Sequence, residues 1–382
     1  MPDGFGLSNL PYGAIRRDRA SPPRLCVRLH EEAIEVAAIA GDLDVDRALV
    51  DAPNLDRLLS APPATWAVLR EALRARLADE VPAHARIPLA GAIPCLPFSV
   101  ADYVDFYSSI EHATNLGRMF RPDAEPLPPN WRHVPIGYHG RSGTVVVSGT
   151  PIRRPSGQLP RPDGPVFAPT ERLDLELELG FVTGGPPASL GEPLPIDEAA
   201  ERIFGFVLVN DWSARDIQRW EYVPLGPFLG KSFATSISAW VVPREALEPY
   251  RLAGPEQQPP PLPYLRRREP WSLDIALEIE LNGATISRTS AAGLYWSVVQ
   301  QLTHAASNGA LVRPGDLYAS GTISGPVSGS EGSLIELTHN GDRPLTIAGE
   351  ERTFLLDGDR VVLRGTAGDV ALGEVAGRVV AA

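Results

Sequence analysis

Cysteine is nearly missing from this chain: Cys26 and Cys95 are the only two in 382 residues. That count excludes a disulfide framework, and their apolar settings, LCVRL and IPCLPF, fit inert buried thiols. Basic residues are outnumbered, 35 Lys and Arg against 47 Asp and Glu, giving a net charge of −12. Nucleic acid and anionic membrane surfaces both require a basic face, so neither is expected as a partner. No apolar run approaches membrane-spanning length and no basic-then-apolar leader opens the chain, so a cytoplasmic protein is expected. Familiar catalytic signatures are missing as well. HExxH, CxxC pairs and GxGxxG do not occur. Gly230-Lys231-Ser232 lacks the upstream glycine of a phosphate loop, and the serine of GTISG is displaced from the nucleophile-elbow position. His133 and His139 stand six apart, with no further ligand at zinc spacing.

Proline and glycine, by contrast, are abundant: 39 and 35 residues. Such a chain is broken into short elements, which predicts a mainly β fold with some α (α+β). Its length allows two domains, and the proline-rich stretch from Val81 to Pro97 reads as a linker, dividing 1–97 from 98–382. In the first part, Arg24 to His30 and Ala33 to Ala38 read as strands, and Thr65 to Asp79 as a helix. In the second, Ser99 with Asp102 reads as an N-cap opening a helix that runs toward Gly117, which puts Asp105 and His112 two turns apart on one face. Tyr295 to Asn308 reads as a second helix, with Gly309 closing it.

The polar residues with chemical potential gather in a few runs. Phe204 to Val209 is a buried strand by its continuous apolar character. Beyond it Asp211, Arg215, Gln218 and Tyr222 follow at helical offsets, and Lys231 lies in the loop behind them. Leu173 to Val182 alternates leucine with Asp174, Glu176 and Glu178, and Leu273 to Leu281 does the same with Asp274, Glu278 and Glu280. A row of acids on one strand face repels itself. Either a divalent cation or plain solvation relieves that repulsion, and the pattern alone leaves both open. Glu336 stands between Ile335 and Leu337 in what reads as an apolar strand. A carboxylate-rich set with one histidine and several cations suits metal-assisted hydrolysis.

The runs DFYSSIEHATNLGRMFR, PNWRHVPIGYHGRSGTVVVSGTPIRRP, VNDWSARDIQRWEYVPLGPFLGKSFATS, LVRPGDLYASGTISGP and FLLDGD closely resemble the fumarylacetoacetate hydrolase family. The resemblance covers nearly all of 98–382 and reappears weakly at NLPYG. It implies an SH3-like N-terminal barrel, a β-roll catalytic domain and a homodimer. The implied activity is hydrolysis of the C–C bond of 4-fumarylacetoacetate to fumarate and acetoacetate, the last step of tyrosine and phenylalanine catabolism. The family's divalent-metal ligands, for Ca2+ or Mg2+, fall on Asp105, Glu176, Glu178 and Asp211, with Lys231 and Thr235 close to the metal. The implied base is His112, oriented by Glu336. Arg215, Gln218 and Lys231 match groups that stabilise developing negative charge, and Tyr107, Arg121, Tyr138, Gln218, Tyr222 and Thr322 match substrate contacts. Glu278 and Glu280 match nothing, which leaves that strand to solvation.

Two other readings compete with this one. A related oxo-acid hydrolase or decarboxylase of the acylpyruvate hydrolase type shares the scaffold, but the joint presence of Tyr107, Arg121, Gln218 and Tyr222 argues against it. A non-catalytic metal-binding scaffold predicts no activity that depends on His112.

Overall fold

The computed structural model describes residues 3–347 and 349–382. The fold is α+β and mostly sheet. The N-terminal strands are β1 (Tyr12–Arg16), β2 (Arg24–Leu29) and β3 (Glu32–Glu35), followed by helix α1 (Pro63–Leu77), β4 (Arg86–Pro88) and β5 (Ile93–Cys95). The expected linker is therefore ordered as strand: β4 pairs with β3, and β5 pairs with β1. Its prolines are tolerated because both strands are only three residues long and lie off the centre of the sheet.

The next elements are β6 (Tyr103–Phe106), α2 (Ile110–Phe120), β7 (Gly137–His139), β8 (Val145–Val147), β9 (Ile152–Arg153), β10 (Leu177–Thr183) and β11 (Ile203–Asp211). They are followed by α3 (Arg215–Glu221), β12 (Thr235–Ile237), β13 (Trp240–Pro243), β14 (Ala276–Leu281), β15 (Ala284–Ser290), α4 (Val298–Ala306) and β16 (Leu317–Ala319). The chain closes with the short helix α5 (Leu334–Leu337), β17 (Arg360–Ala367) and β18 (Val370–Val380). One sheet runs β4-β3-β2-β1-β13-β11-β10-β16-β6-β7, with β5 on β1, β12 on β11 and β8 on β12. A second runs β15-β14-β17-β18-β9. The single pairing of β1 with β13 carries the large sheet from the N-terminal strands into the rest of the chain.

The centre of that sheet is buried on both faces, which explains why β10 and β11 hold no exposed residue. Leu177, Leu179, Phe181, Phe206 and Leu208 enter one core, while Val182, Val207 and Val209 enter the other with Tyr103, Leu317 and Ala319. Side chains alternate along a strand, so Asp105 follows Tyr103, Glu178 precedes Val182 and Asp211 follows Val209, all on that second face. Register brings them side by side: Asp105 lies opposite Ala319, Ala319 opposite Gly180, and Glu178 opposite Val209.

Four expectations about local structure are corrected. Residues 103–106 form a strand rather than the start of a helix, because they pair in parallel with β16. The N-cap is Ser109, whose hydroxyl accepts from the His112 amide, while Ser99 binds Asp56. Asp105 and His112 consequently share no helix face. Asp211 ends β11, and the helix begins only at Arg215. Glu336 lies in the turn of helix α5, not in a strand. Among the other expectations, α4 forms with a capping box from Ser297 and Gln300. Glu278 and Glu280 pair with Arg288, Arg360 and Arg364 across β14, β15 and β17, while Asp274 is exposed, so that acidic row is neutralised by arginines and water.

Candidate active site

Strands β6, β10 and β11 deliver Asp105, Glu178 and Asp211 to one place: an oxygen of each lies within 4.8 Å of the others, and all three are buried. Asp105 accepts from the Tyr138 hydroxyl at 2.9 Å and from Arg141 Nη2 at 2.7 Å, leaving Oδ1 without a partner. Asp211 accepts from the same Arg141 nitrogen at 2.7 Å, from Lys231 Nζ at 2.8 Å and from the Thr235 hydroxyl at 3.0 Å. Both oxygens of Glu178 are buried and unpartnered. Unpaired buried carboxylate oxygens are costly. Burial, reinforced by Asp105, Asp211 and Glu176, holds the Glu178 carboxyl well above its ordinary range. Burial also pushes Asp105 up to about 6, against the pull of Arg141. An all-oxygen set with three free buried oxygens fits a hard divalent cation.

Glu176, the fourth expected ligand, lies outside this cluster. One of its oxygens takes the Lys231 ammonium and the other lies 2.8 Å from the Arg215 guanidinium. Burial pushes its carboxyl up, but these two cations outweigh it and hold Glu176 below the ordinary glutamate range. Lys231 reaches the pair from the loop ahead of β12; burial opposes its charge, yet Asp211 and Glu176 keep the ammonium above its ordinary value. Arg215 Nε donates to Asp174 at 2.8 Å, and its Nη1 reaches the amide oxygen of Gln218 at 3.4 Å.

Helix α2 carries the histidine. Nδ1 of His112 donates to Glu336 Oε2 at 2.6 Å, which fixes the tautomer and leaves Nε2 as the ring's acceptor. Glu336 is held in turn by Asn115 at 2.9 Å, Ser333 at 2.6 Å and Ser324 at 2.9 Å. Burial works against its charge, but His112 and these donors keep its carboxyl below the ordinary range. The Tyr107 ring stands edge-on to the imidazole, with centroids 5.4 Å apart.

The remaining expected residues divide. Tyr138 joins the carboxylates through Asp105, and Thr322 is buried with its hydroxyl unpartnered. Arg121 and Tyr222 are exposed. Arg121 donates to the Pro126 carbonyl at 2.6 Å, and Tyr222 caps α3 with 49% of its surface open to solvent. Neither bonds to the buried groups among the described residues.

Arg141 was missed by the sequence reading, although its loop, YHGRSG, lies inside one of the matching runs. It sits in the left-handed region at φ 63°, next to Gly140 at φ 128°. Its guanidinium lies 4.6 Å and 4.9 Å from the ring centres of Tyr103 and Tyr138. Only the glycines around it signal an unusual backbone. Asn115 and the tie from Asp174 to Arg215 were missed because the partners lie 221 and 41 positions away, whereas Ser324 and Ser333, 12 and 3 positions from Glu336, were hidden by the strand expected at 334–337.

Comparison with known proteins follows the same lines. Residues 103–380 match the family described as fumarylacetoacetate (FAA) hydrolase C-terminal, and residues 8–97 match fumarylacetoacetase N-terminal. The chain is 46% identical to the fumarylacetoacetases of Rattus norvegicus and Homo sapiens, covering 99% of this chain and 96% of each relative. It is 42% identical to that of Arabidopsis thaliana, over 98% of this chain and 96% of the relative. The fold resembles that of fumarylacetoacetate hydrolase from Exiguobacterium antarcticum, with TM-score 0.57 and 17% identity over 98% of this chain and 100% of the other. It also resembles maleylpyruvate hydrolase from Sphingobium sp. SYK-6 in complex with manganese (II) and pyruvate, with TM-score 0.55 and 17% identity over 97% and 99%. Two family matches that together span almost every residue, and identity sustained along the full length of distant relatives, leave one assignment: the chain belongs to the fumarylacetoacetate hydrolase family.

Proposed function

We propose that this chain hydrolyses 4-fumarylacetoacetate to fumarate and acetoacetate, the closing step of tyrosine and phenylalanine breakdown. The observation that carries the reading is the 2.6 Å contact from His112 Nδ1 to a buried, fourfold-held Glu336. It occupies Nδ1 and reserves Nε2 as the ring nitrogen that accepts one proton of the attacking water. The hydroxide so formed adds to the ketone carbon. The bond to the neighbouring carbon then breaks, its electron pair leaves with acetoacetate, and that carbon is reprotonated.

The charges around the site suit both stages. Gln218 accepts from Arg215 through its amide oxygen, so its Nε2 stays available to a developing oxyanion. Such a donor lowers the barrier by about 3 kcal/mol. Lys231 and Arg215, held in place by Glu176, Asp211 and Asp174, keep a positive field beside the carbon that leaves with the electron pair. Asp105, Glu178 and Asp211, with Glu176 beside them and Thr235 steadying Asp211, would hold a divalent cation, calcium or magnesium by the hardness of the ligands. Such a cation, when bound, supplies Lewis-acid stabilisation of enolate charge. The complex of the similarly folded maleylpyruvate hydrolase with manganese (II) supports a divalent ion for this fold. Tyr107, Tyr138 and Thr322 are assigned to substrate contact inside the site, and Arg121 and Tyr222 to its mouth.

The same reading includes a cytoplasmic homodimer, an SH3-like barrel over 1–97 and a β-roll catalytic domain over 98–382. Val223, Leu225 and Phe228 are apolar and exposed beside α3, Leu225 at 96%, which supports a covering partner. The test is loss of the substrate's ultraviolet absorbance with wild type, with wild type plus chelator, and with His112→Ala. Turnover that falls on chelation and is abolished in a folded His112→Ala protein is expected. Faster turnover of an acylpyruvate, or full activity without His112, overturns the proposal.

A further inference from the structure

In the reaction just described Asp174 does no more than help to hold Arg215, yet it is fully buried and has four donors on it. Oδ1 accepts from the amides of Leu175 at 2.7 Å and Leu334 at 2.8 Å. Oδ2 accepts from the amide of Ile335 at 3.1 Å and from Arg215 Nε at 2.8 Å. Residues 334 and 335 open the turn of α5 that carries Glu336, and Arg215 opens α3. Backbone pairing fixes the carboxylate between them: Leu173 and Asp174 run antiparallel to Ala214 and Ser213, and Leu173 bridges Leu355.

We propose that Asp174 is a positioning residue that ties the two halves of the site together. Through Arg215 it sets the guanidinium against Glu176, and through the Leu334 and Ile335 amides it sets the distance from Glu336 to His112. The inference rests on the hydrolase reading for its catalytic consequence, but not for the coupling itself. Four donors on two oxygens also make the site intolerant of an isostere. In Asp174→Asn, whichever way the amide turns, its NH2 group faces two hydrogen-bond donors and loses both.

The His112–Glu336 hydrogen bond is the reporter, because an N–H proton in a short, charge-assisted bond resonates far downfield in proton NMR. Asp174→Asn is expected to fold, to shift that resonance upfield or abolish it, and to lower kcat on fumarylacetoacetate by about 10²-fold, a general-base-sized loss, with KM changed far less. Arg215→Lys keeps the charge but cannot span Asp174 and Glu176. It touches neither His112 nor Glu336, and the coupling requires it to move the same resonance. An unchanged resonance in either folded variant overturns the coupling; should Asp174→Asn fail to fold, Arg215→Lys decides alone. Wild type that shows the resonance but no turnover of fumarylacetoacetate would sink the hydrolase reading and leave this test standing.

Discussion

Asp105 and Asp211 share a single donor: Nη2 of Arg141 lies 2.7 Å from Oδ2 of each. Two buried carboxylates, with Glu178 beside them, thus lean on one guanidinium that is itself almost wholly buried. Removing one partner of such a network leaves uncompensated charge, at about 3–5 kcal/mol. Arg141→Gln should therefore lower the unfolding free energy in chelator by that order. Added Ca2+ or Mg2+ should restore more stability to the variant than to wild type, since the cation replaces the missing charge. Denaturant melts of both proteins, with chelator and with metal, check this; equal gains would refute it.

Glu336 is predicted to act only through His112. Glu336→Gln retains the size of the side chain but weakens the acceptor for Nδ1–H, so the imidazole loses its fixed orientation. A drop in kcat of about 10²–10⁴-fold is expected, with metal binding by calorimetry unchanged. A variant that instead loses metal affinity would mean the residue belongs to the metal cluster.

The carboxylates also make the response to metal depend on pH. Asp105 is raised from 3.8 to about 6, chiefly by burial. Its folded form holds the proton more tightly than the unfolded chain, so the metal-free fold loses stability as pH rises from about 4 through 6. Glu176 and Glu336 work the other way. Their carboxyls are lowered, so what they add is present above the ordinary glutamate value of 4.5 and is lost as pH falls toward their folded values. A cation must displace the Asp105 proton below pH 6 but meets an anion above it. The rise in melting temperature on adding metal should be small at pH 5 and large at pH 7.5. A rise independent of pH would contradict the assignment.

Gly321 adjoins Thr322 at φ +76°, and a Cβ there would lie 2.2 Å from the Phe106 carbonyl oxygen. Neither the backbone angle nor the space admits alanine. Gly321→Ala should destabilise by at least about 2 kcal/mol and push β6, with Asp105, away from β16. Urea midpoints together with metal titration would show both effects.

Strands and isolated helices were legible from apolar periodicity, as Phe204 to Val209 and Tyr295 to Asn308 demonstrate. Failures came where a long-range pairing overrode a local pattern. The offsets from Asp211 to Tyr222 suit a helix, yet Asp211 is held in β11 by pairing with Thr235. Asp105 looks helical beside His112, but its partner Ala319 lies in a strand far along the chain. The acidic row at Asp174, Glu176 and Glu178 left both metal and solvent open, and only burial distinguishes it from the row at Glu278 and Glu280. The candidate site residues were named through the family resemblance, and the structure gathers Asp105, Glu178 and Asp211 among them. Arg141 was not assigned even so, because its worth depends on carboxylates 36 and 70 positions away.

That dispersal has a kinetic side. The contact between His112 and Glu336 closes a separation of 224 residues, and the one between Lys231 and Glu176 closes 55. Contacts across such spans carry loop-closure entropy that local helices and hairpins do not. In refolding from denaturant, secondary structure should therefore return first and turnover last, with metal affinity regained between them. Far-ultraviolet dichroism and the absorbance assay, followed on the same sample, would separate the phases. The active site, in that sense, is the last part of the molecule to exist.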